Sequence, residues 1–170
     1  MREADQAVGE TQAWDALARN AANVRIQDDH VDDICQLLAF ELDGAPYAVP
    51  VERVREIVRL RPVTPVPRFP DDVRGVISLR GEIIQVVDLC RRLGIEPAAP
   101  TRRTRIIVVT TGTGDAAGLI VDSVRSVMRV SRESIRPAVG SESGAIESLC
   151  ACEDEFVSVV ELDEVLSIDA

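Results

Sequence analysis

From residue 34 onward the chain is written in short apolar runs, rich in valine and isoleucine, separated by polar breaks. Runs of this length are too short for buried helices, and β-branched residues pack well on a pleated surface, so the pattern predicts strands. Residues 34–42 lead through Asp43-Gly44 into residues 45–49, and Asp-Gly between apolar runs marks a tight hairpin. Residues 73–79 and 83–87 flank Arg80-Gly81-Glu82 as a second hairpin. Residues 104–110 and 116–121 flank Gly112-Thr113-Gly114-Asp115, and residues 146–152 and 156–160 flank Glu153-Asp154-Glu155. A further strand is predicted at 127–130.

Helical signals are brief. Val51, Val54, Ile57 and Val58 follow Pro50 and give a short helical pattern. Residues 89–93 form a helical turn closed by Gly94, residues 122–125 a single turn, and residues 161–166 a short acidic helix. The prolines at 62, 65, 67 and 70 exclude a central strand or helix and predict an ordered loop or edge segment. Residues 96–103, with Pro97 and Pro100, are the best internal boundary, and residues 136–144 form a loop. Many short strands with turns about every 8–12 residues place the chain in the all-β class. Two similar halves predict two small barrels with a groove between them. The first covers about 35–95 and the second about 104–160, followed by a C-terminal helix at 161–167.

Residues 1–33 read differently. They are polar and acidic and read as an N-terminal extension: a partly disordered tail with a nascent helix, or a helix in 13–24 docking through the narrow apolar stripe of Trp14, Leu17, Ala21 and Val24.

Composition changes the picture mainly by exclusion. All 19 basic residues among the 170 are arginine, and His30 is the single histidine. Without lysine there is no P-loop lysine and no Schiff-base chemistry; one histidine cannot build a multi-histidine zinc site, and the aspartate-rich run around His30 reads as a solvated stretch rather than the pocket a catalytic base needs. Cys35, Cys90, Cys150 and Cys152 contain no C-x-x-C pair and predict reduced thiols rather than a metal centre. Gly112-x-Gly114 lacks the helix and third glycine of a dinucleotide loop. Asp88 and Asp122 each end a hydrophobic run and predict caps for the following turn rather than an acid–base pair. The formal net charge of −10 is uneven: residues 1–33 carry −5, the middle segment 34–146 carries +3, and residues 147–170 carry −8. Overall acidity and few aromatics argue against nucleic-acid binding. No signal peptide and no apolar run long enough to span a bilayer are read, which predicts a cytoplasmic protein without direct membrane insertion. No cofactor is expected.

The strongest string is Arg74-Gly75-Val76-Ile77-Ser78-Leu79-Arg80-Gly81-Glu82-Ile83-Ile84-Gln85-Val86-Val87-Asp88-Leu89. With Tyr47-Ala48-Val49-Pro50-Val51, Val54-Arg55-Glu56-Ile57-Val58, Thr104-Arg105-Ile106-Ile107-Val108-Val109, Gly118-Leu119-Ile120-Val121-Asp122 and Ile135-Arg136-Pro137, it resembles the CheW-like chemotaxis coupling family over about residues 35–168. Ser78 stands where asparagine is common, Gln85 where proline is common, and the late string around residues 146–152 departs most. The resemblance implies two five-stranded SH3-like barrels with a few short helices. It implies a nonenzymatic adaptor that links the cytoplasmic tip of a chemoreceptor (a methyl-accepting protein) to the regulatory domain of a CheA-type histidine kinase, within membrane receptor arrays. By matching of motifs, Val54, Arg80, Ile106 and Gly118 are expected at the receptor-binding surface and Glu56 and Ile57 at the kinase-binding surface. Arg80 sits in a turn next to glycine, where its fork of donors can reach a partner or an internal carboxylate such as Glu56. Val54, Ile57 and Ile106 are read either as lining a groove for a receptor helix or as core. The rival readings are a coupling protein of a nonchemotactic pathway, such as pilus motility or development, and a small β-scaffold enzyme.

Overall fold

The computed structural model describes residues 33–140 and 144–168. The expected extension, with its stripe at residues 14–24, lies outside the described residues.

Eleven strands and two short helices follow one another: β1 Ile34–Leu42, β2 Ala45–Pro50, β3 Val54–Arg59, β4 Val73–Leu79, β5 Glu82–Asp88, α1 Leu89–Arg92, β6 Arg105–Thr110, β7 Ala116–Val121, β8 Ser123–Ser131, β9 Ile135–Pro137, β10 Ile146–Cys152, β11 Glu155–Val160 and α2 Leu162–Leu166. The strands form a six-stranded sheet, β8-β1-β2-β11-β10-β9, and a five-stranded sheet, β3-β6-β7-β5-β4. The all-β class with a few short helices is as the sequence predicts, and one sheet carries six strands rather than five.

The predicted hairpins form for the anticipated reason. Asp43 and Gly44 have φ of 49° and 75°, so both central residues are left-handed, the geometry whose twist matches paired strands. The Phe40 and Tyr47 rings stack across that hairpin at 6.2 Å between centroids and help hold its register.

Two predicted helical turns are strands instead. Only Val51–Arg53 is helical, as a 3₁₀ turn, and Val54–Arg59 pairs with β6. The register slips by one at Arg55, so Val54 lies opposite Val109 and Glu56 opposite Val108. A bulge shifts the two-residue alternation by one position, and the resulting apolar spacing imitates a helix. Residues 122–125 likewise belong mostly to β8, which runs unbroken over nine residues beside β1.

The division of the chain at 96–103 does not separate the sheets. β1 and β2 pair with the late strands, through β8 beside β1 and a parallel contact between β2 and β11, whereas β3 to β7 build the other sheet. The chain leaves the first sheet, completes the second and returns. The first barrel therefore draws on both ends of the folded region, and each sheet keeps an inner core. Leu37, Ala48, Val130, Cys150, Val157 and Val159 fill one, and Ile77, Leu79, Ile84, Val86, Ile106 and Val108 fill the other. The largest core lies between the sheets, where Phe40, Leu42, Val49, Ile107, Val109, Leu119 and Val121 meet Leu89 of α1 and Leu162 and Val165 of α2.

The proline-rich segment packs on an edge strand. Thr64 and Val76 exchange two backbone hydrogen bonds, each of 2.9 Å. Gly75, at φ 133°, makes room for that crossing: a Cβ there would stand 2.0 Å from the Thr64 carbonyl oxygen.

Candidate functional site

The β4–β5 turn consists of Arg80 and Gly81, with φ of 53° and 82°. Glycine accepts a left-handed conformation freely, but arginine pays about 1–2 kcal/mol for it. The turn lifts the Arg80 side chain clear of the sheet, and it is 80% exposed.

The facing element is β3. Because of the slip at Arg55, Val54 turns toward the core between the sheets, and Glu56 takes the face of Val108, inside the five-stranded sheet. Glu56 thereby points at the hairpin. Arg80 donates from Nε to Glu56 Oε1 at 3.2 Å and from Nη2 to Oε2 at 3.3 Å, a two-point bridge. The bulged residue adds a second crossing, in which Arg55 Nη1 donates to Glu82 Oε2 at 3.4 Å. Ile57 lies on the opposite face from Glu56 and stays 40% exposed. Of the four residues expected here, the structure pairs Glu56 with Arg80, whereas Val54 packs against the core between the sheets and Ile57 lies on the other face of β3.

Ile106 and Gly118 are not at that surface, which corrects the expectation that they bind a receptor. Ile106 is fully buried in the inner core of the same sheet. Gly118 is buried between β5 and β6, and a Cβ on it would stand 2.8 Å from Ile106 Cγ2. Both are packed inside the sheet that carries the Arg80 turn. A six-residue strand, β6, buries four consecutive residues because each of its faces covers a core. Motif matching sees the position and not the face.

Three contributors were not singled out from sequence: Arg55, Glu82 and Ile83. Ile83 is 74% exposed, next to the Arg80 turn. The signal was present, since Ile83 and Ile84 are adjacent on a strand and point to opposite faces.

The carboxylates that end β5 and β7 act structurally. Asp88 Oδ1 accepts from the Arg91 backbone N–H at 3.3 Å and caps α1, as predicted. Asp122 Oδ2 accepts from the Asp43 N–H at 2.7 Å, so it caps the distant β1–β2 turn and not the turn that follows it. Cys90 is buried beside them. Desolvation, reinforced by Asp122, Asp88 and Asp43, pushes its thiol up to about 12, so the thiol stays protonated and unreactive at neutral pH. Among the described residues no group of three or more His, Cys, Asp or Glu side chains is arranged to hold a metal ion. The site offers a fork of donors, a carboxylate and exposed isoleucine, which suits recognition of another protein.

The family description "CheW-like domain" matches residues 36–170. The chain is 37% identical to the chemotaxis protein CheW of Rhizobium meliloti over 134 residues, which is 76% of this chain and 86% of that one. It is 33% identical to the protein FrzA of Myxococcus xanthus over 111 residues, covering 65% and 69% of the two chains. The crystal structure of the scaffolding protein TtCheW from Thermoanaerobacter tengcongensis superposes with a TM-score of 0.75 at 30% identity, covering 79% of this chain and 94% of that one. With its two sheets and the matched strings intact, the chain belongs to the CheW-like family of chemotaxis scaffold proteins.

Proposed function

We propose that this protein couples chemoreceptors to a CheA-type histidine kinase in the cytoplasm, by contact alone and without chemistry of its own. The observation that carries this reading is the bridge from exposed Arg80 to Glu56, in a chain of this family. The bridge engages Nε and Nη2 of Arg80 and leaves Nη1 to meet a carboxylate or backbone carbonyl on the helical tip of a receptor. Ile83, exposed next to the Arg80 turn, supplies apolar contact beside that polar point. Glu56 and Ile57, on β3, serve the kinase contact. Each contact is individually weak, and repetition across an array supplies the avidity.

Titration with a receptor signalling-tip fragment and, separately, with a CheA regulatory domain tests the reading. Binding to both is expected. Binding to neither overturns it.

A further inference from the structure

Arginines crowd one end of the five-stranded sheet. Arg59 closes β3, Arg105 opens β6, and the two are direct register partners. Like charges placed opposite each other on antiparallel strands destabilise the pair. Arg61 follows β3 by two residues, while Arg102 and Arg103 stand in the turn before β6, all exposed. That turn is internally tied: Thr101 N–H donates to Thr104 Oγ1 at 2.8 Å, and Arg103 N–H to Thr101 Oγ1 at 3.1 Å.

Little negative charge answers this cluster. Among the described residues no carboxylate pairs with Arg59, Arg61, Arg102 or Arg105. Arg105 Nη1 donates only to the carbonyls of Arg102 and Thr104, at 2.7 and 2.9 Å. Arg103 reaches Glu41 at 3.8 Å, but Glu41 already accepts from Ser123 at 2.7 Å and pairs with Arg125 at 2.8 Å. The arginines near the Arg80 turn and α1 are, by contrast, paired: Arg55 with Glu82, Arg80 with Glu56, and Arg92 with Asp72. In a chain of net charge −10 this concentration stands out. Arg59, Leu60, Thr101, Arg102, Thr104 and Arg105 line an open cleft of about 490 Å³ with no carboxylate in its wall.

We infer that this cleft is a docking site for an extended acidic peptide segment of a partner protein. The chemistry favours a peptide over a single phosphate. The donors come from two strand ends and a turn, and the N–H groups of Thr101, Arg103 and Thr104 are spent within that turn, so these amides leave no backbone cradle for an oxyanion. Several guanidiniums in a wall shared with Leu60, Thr101 and Thr104 match several carboxylates carried on aliphatic stems. The inference does not depend on the receptor and kinase reading above.

Fluorescence anisotropy of a short fluorescein-labelled Glu-rich peptide, titrated with the full-length protein, tests it. Binding is expected at low salt and is lost as ionic strength rises. The double variant Arg59→Ser/Arg102→Ser should weaken it about tenfold, as expected for charges that face the ligand directly. The control Arg129→Ser/Arg132→Ser removes the same charge elsewhere and should leave binding unchanged. Because Arg59 and Arg105 repel each other, Arg59→Ser should hold or raise the melting temperature, and a thermal melt of the double variant separates a loss of binding from unfolding. No binding by the unaltered protein, an equal loss in the control, or displacement of the peptide by inorganic phosphate at the concentration at which unlabelled peptide displaces it would each overturn the inference.

Discussion

At the scale of single residues, exposure separates contact from support. Arg80 and Glu56 form a bridge with a largely solvated arginine, and such pairs contribute about 0–1 kcal/mol to stability. Arg80→Ala should therefore leave the thermal midpoint almost unmoved while weakening receptor-fragment binding roughly tenfold, a loss of about 1.4 kcal/mol. Arg80→Lys keeps the charge but loses the fork and should recover little. Calorimetry beside a binding titration reads both effects, and a sharp drop in melting temperature would instead make Arg80 a structural residue. Gly118 behaves oppositely. Its missing Cβ is 2.8 Å from Ile106 Cγ2 in a packed core, so Gly118→Ala should cost about 1–3 kcal/mol by overpacking. Combined with Ile106→Ala it should cost less than the two single changes added together, because both act on one space. Denaturant titrations of the four proteins measure that coupling. Motif matching named Arg80, Glu56, Ile106 and Gly118 alike. Only the first two carry polar groups to the surface, and which face of a strand a residue takes depends on where the register slips.

At the scale of elements, β3 and the crossing at Gly75 do most to position the site. The slip at Arg55 sends Val54 into the core between the sheets and brings Glu56 to the hairpin, with Arg55 itself on Glu82. Hairpin turns were legible from sequence because Asp43-Gly44 and Arg80-Gly81 satisfy a local backbone requirement. The bulge was not, because it is defined against β6, more than forty residues away. Gly75 joins two elements through backbone alone. Any side chain there would overlap the Thr64 carbonyl, at a φ that only glycine adopts freely, so Gly75→Ala should cost about 3 kcal/mol or more. Hydrogen exchange should show the Thr64 and Val76 amides losing protection first. Retained protection at both amides would show that the strap tolerates the substitution.

At the scale of the whole molecule, ion pairs tie distant segments together. Arg53 donates to Asp163 of α2 at 2.7 Å, and the same Asp163 Oδ1 accepts from the Gly112 N–H at 3.0 Å. Arg92 bonds Asp72 and the carbonyls of Glu164 and Ser167. Glu41 of β1 holds Ser123 and Arg125 of β8, and Arg125 extends to Glu155. The hydrogen bond from Arg53 holds the Asp163 carboxyl below its ordinary value of 3.8, and those from Ser123 and Arg125 hold Glu41 below 4.5. A carboxylate with a lowered folded pKa adds stability above its unfolded pKa, and that contribution is lost as pH falls through the folded value. The contribution of these two carboxylates to the melting temperature should therefore hold on acidification from neutral to about pH 5 and be lost below that. Asp163→Asn should lower the melting temperature at neutral pH and make its fall on acidification shallower, which thermal melts across a pH series will show.

The sequence by itself determined what is settled within a few residues of chain: the strand-forming runs, the turn dipeptides, the capping carboxylate of α1, and strings specific enough to carry the family and to single out Arg80. The tertiary structure decided what depends on segments meeting across the chain. It put β1 and β2 with the late strands, turned Glu56 to the hairpin, buried Ile106 beneath Gly118, and set Arg59 against Arg105. The reason is that a strand's identity is a property of its own φ, ψ and side chains, whereas its partner, register and exposed face belong to the pairing.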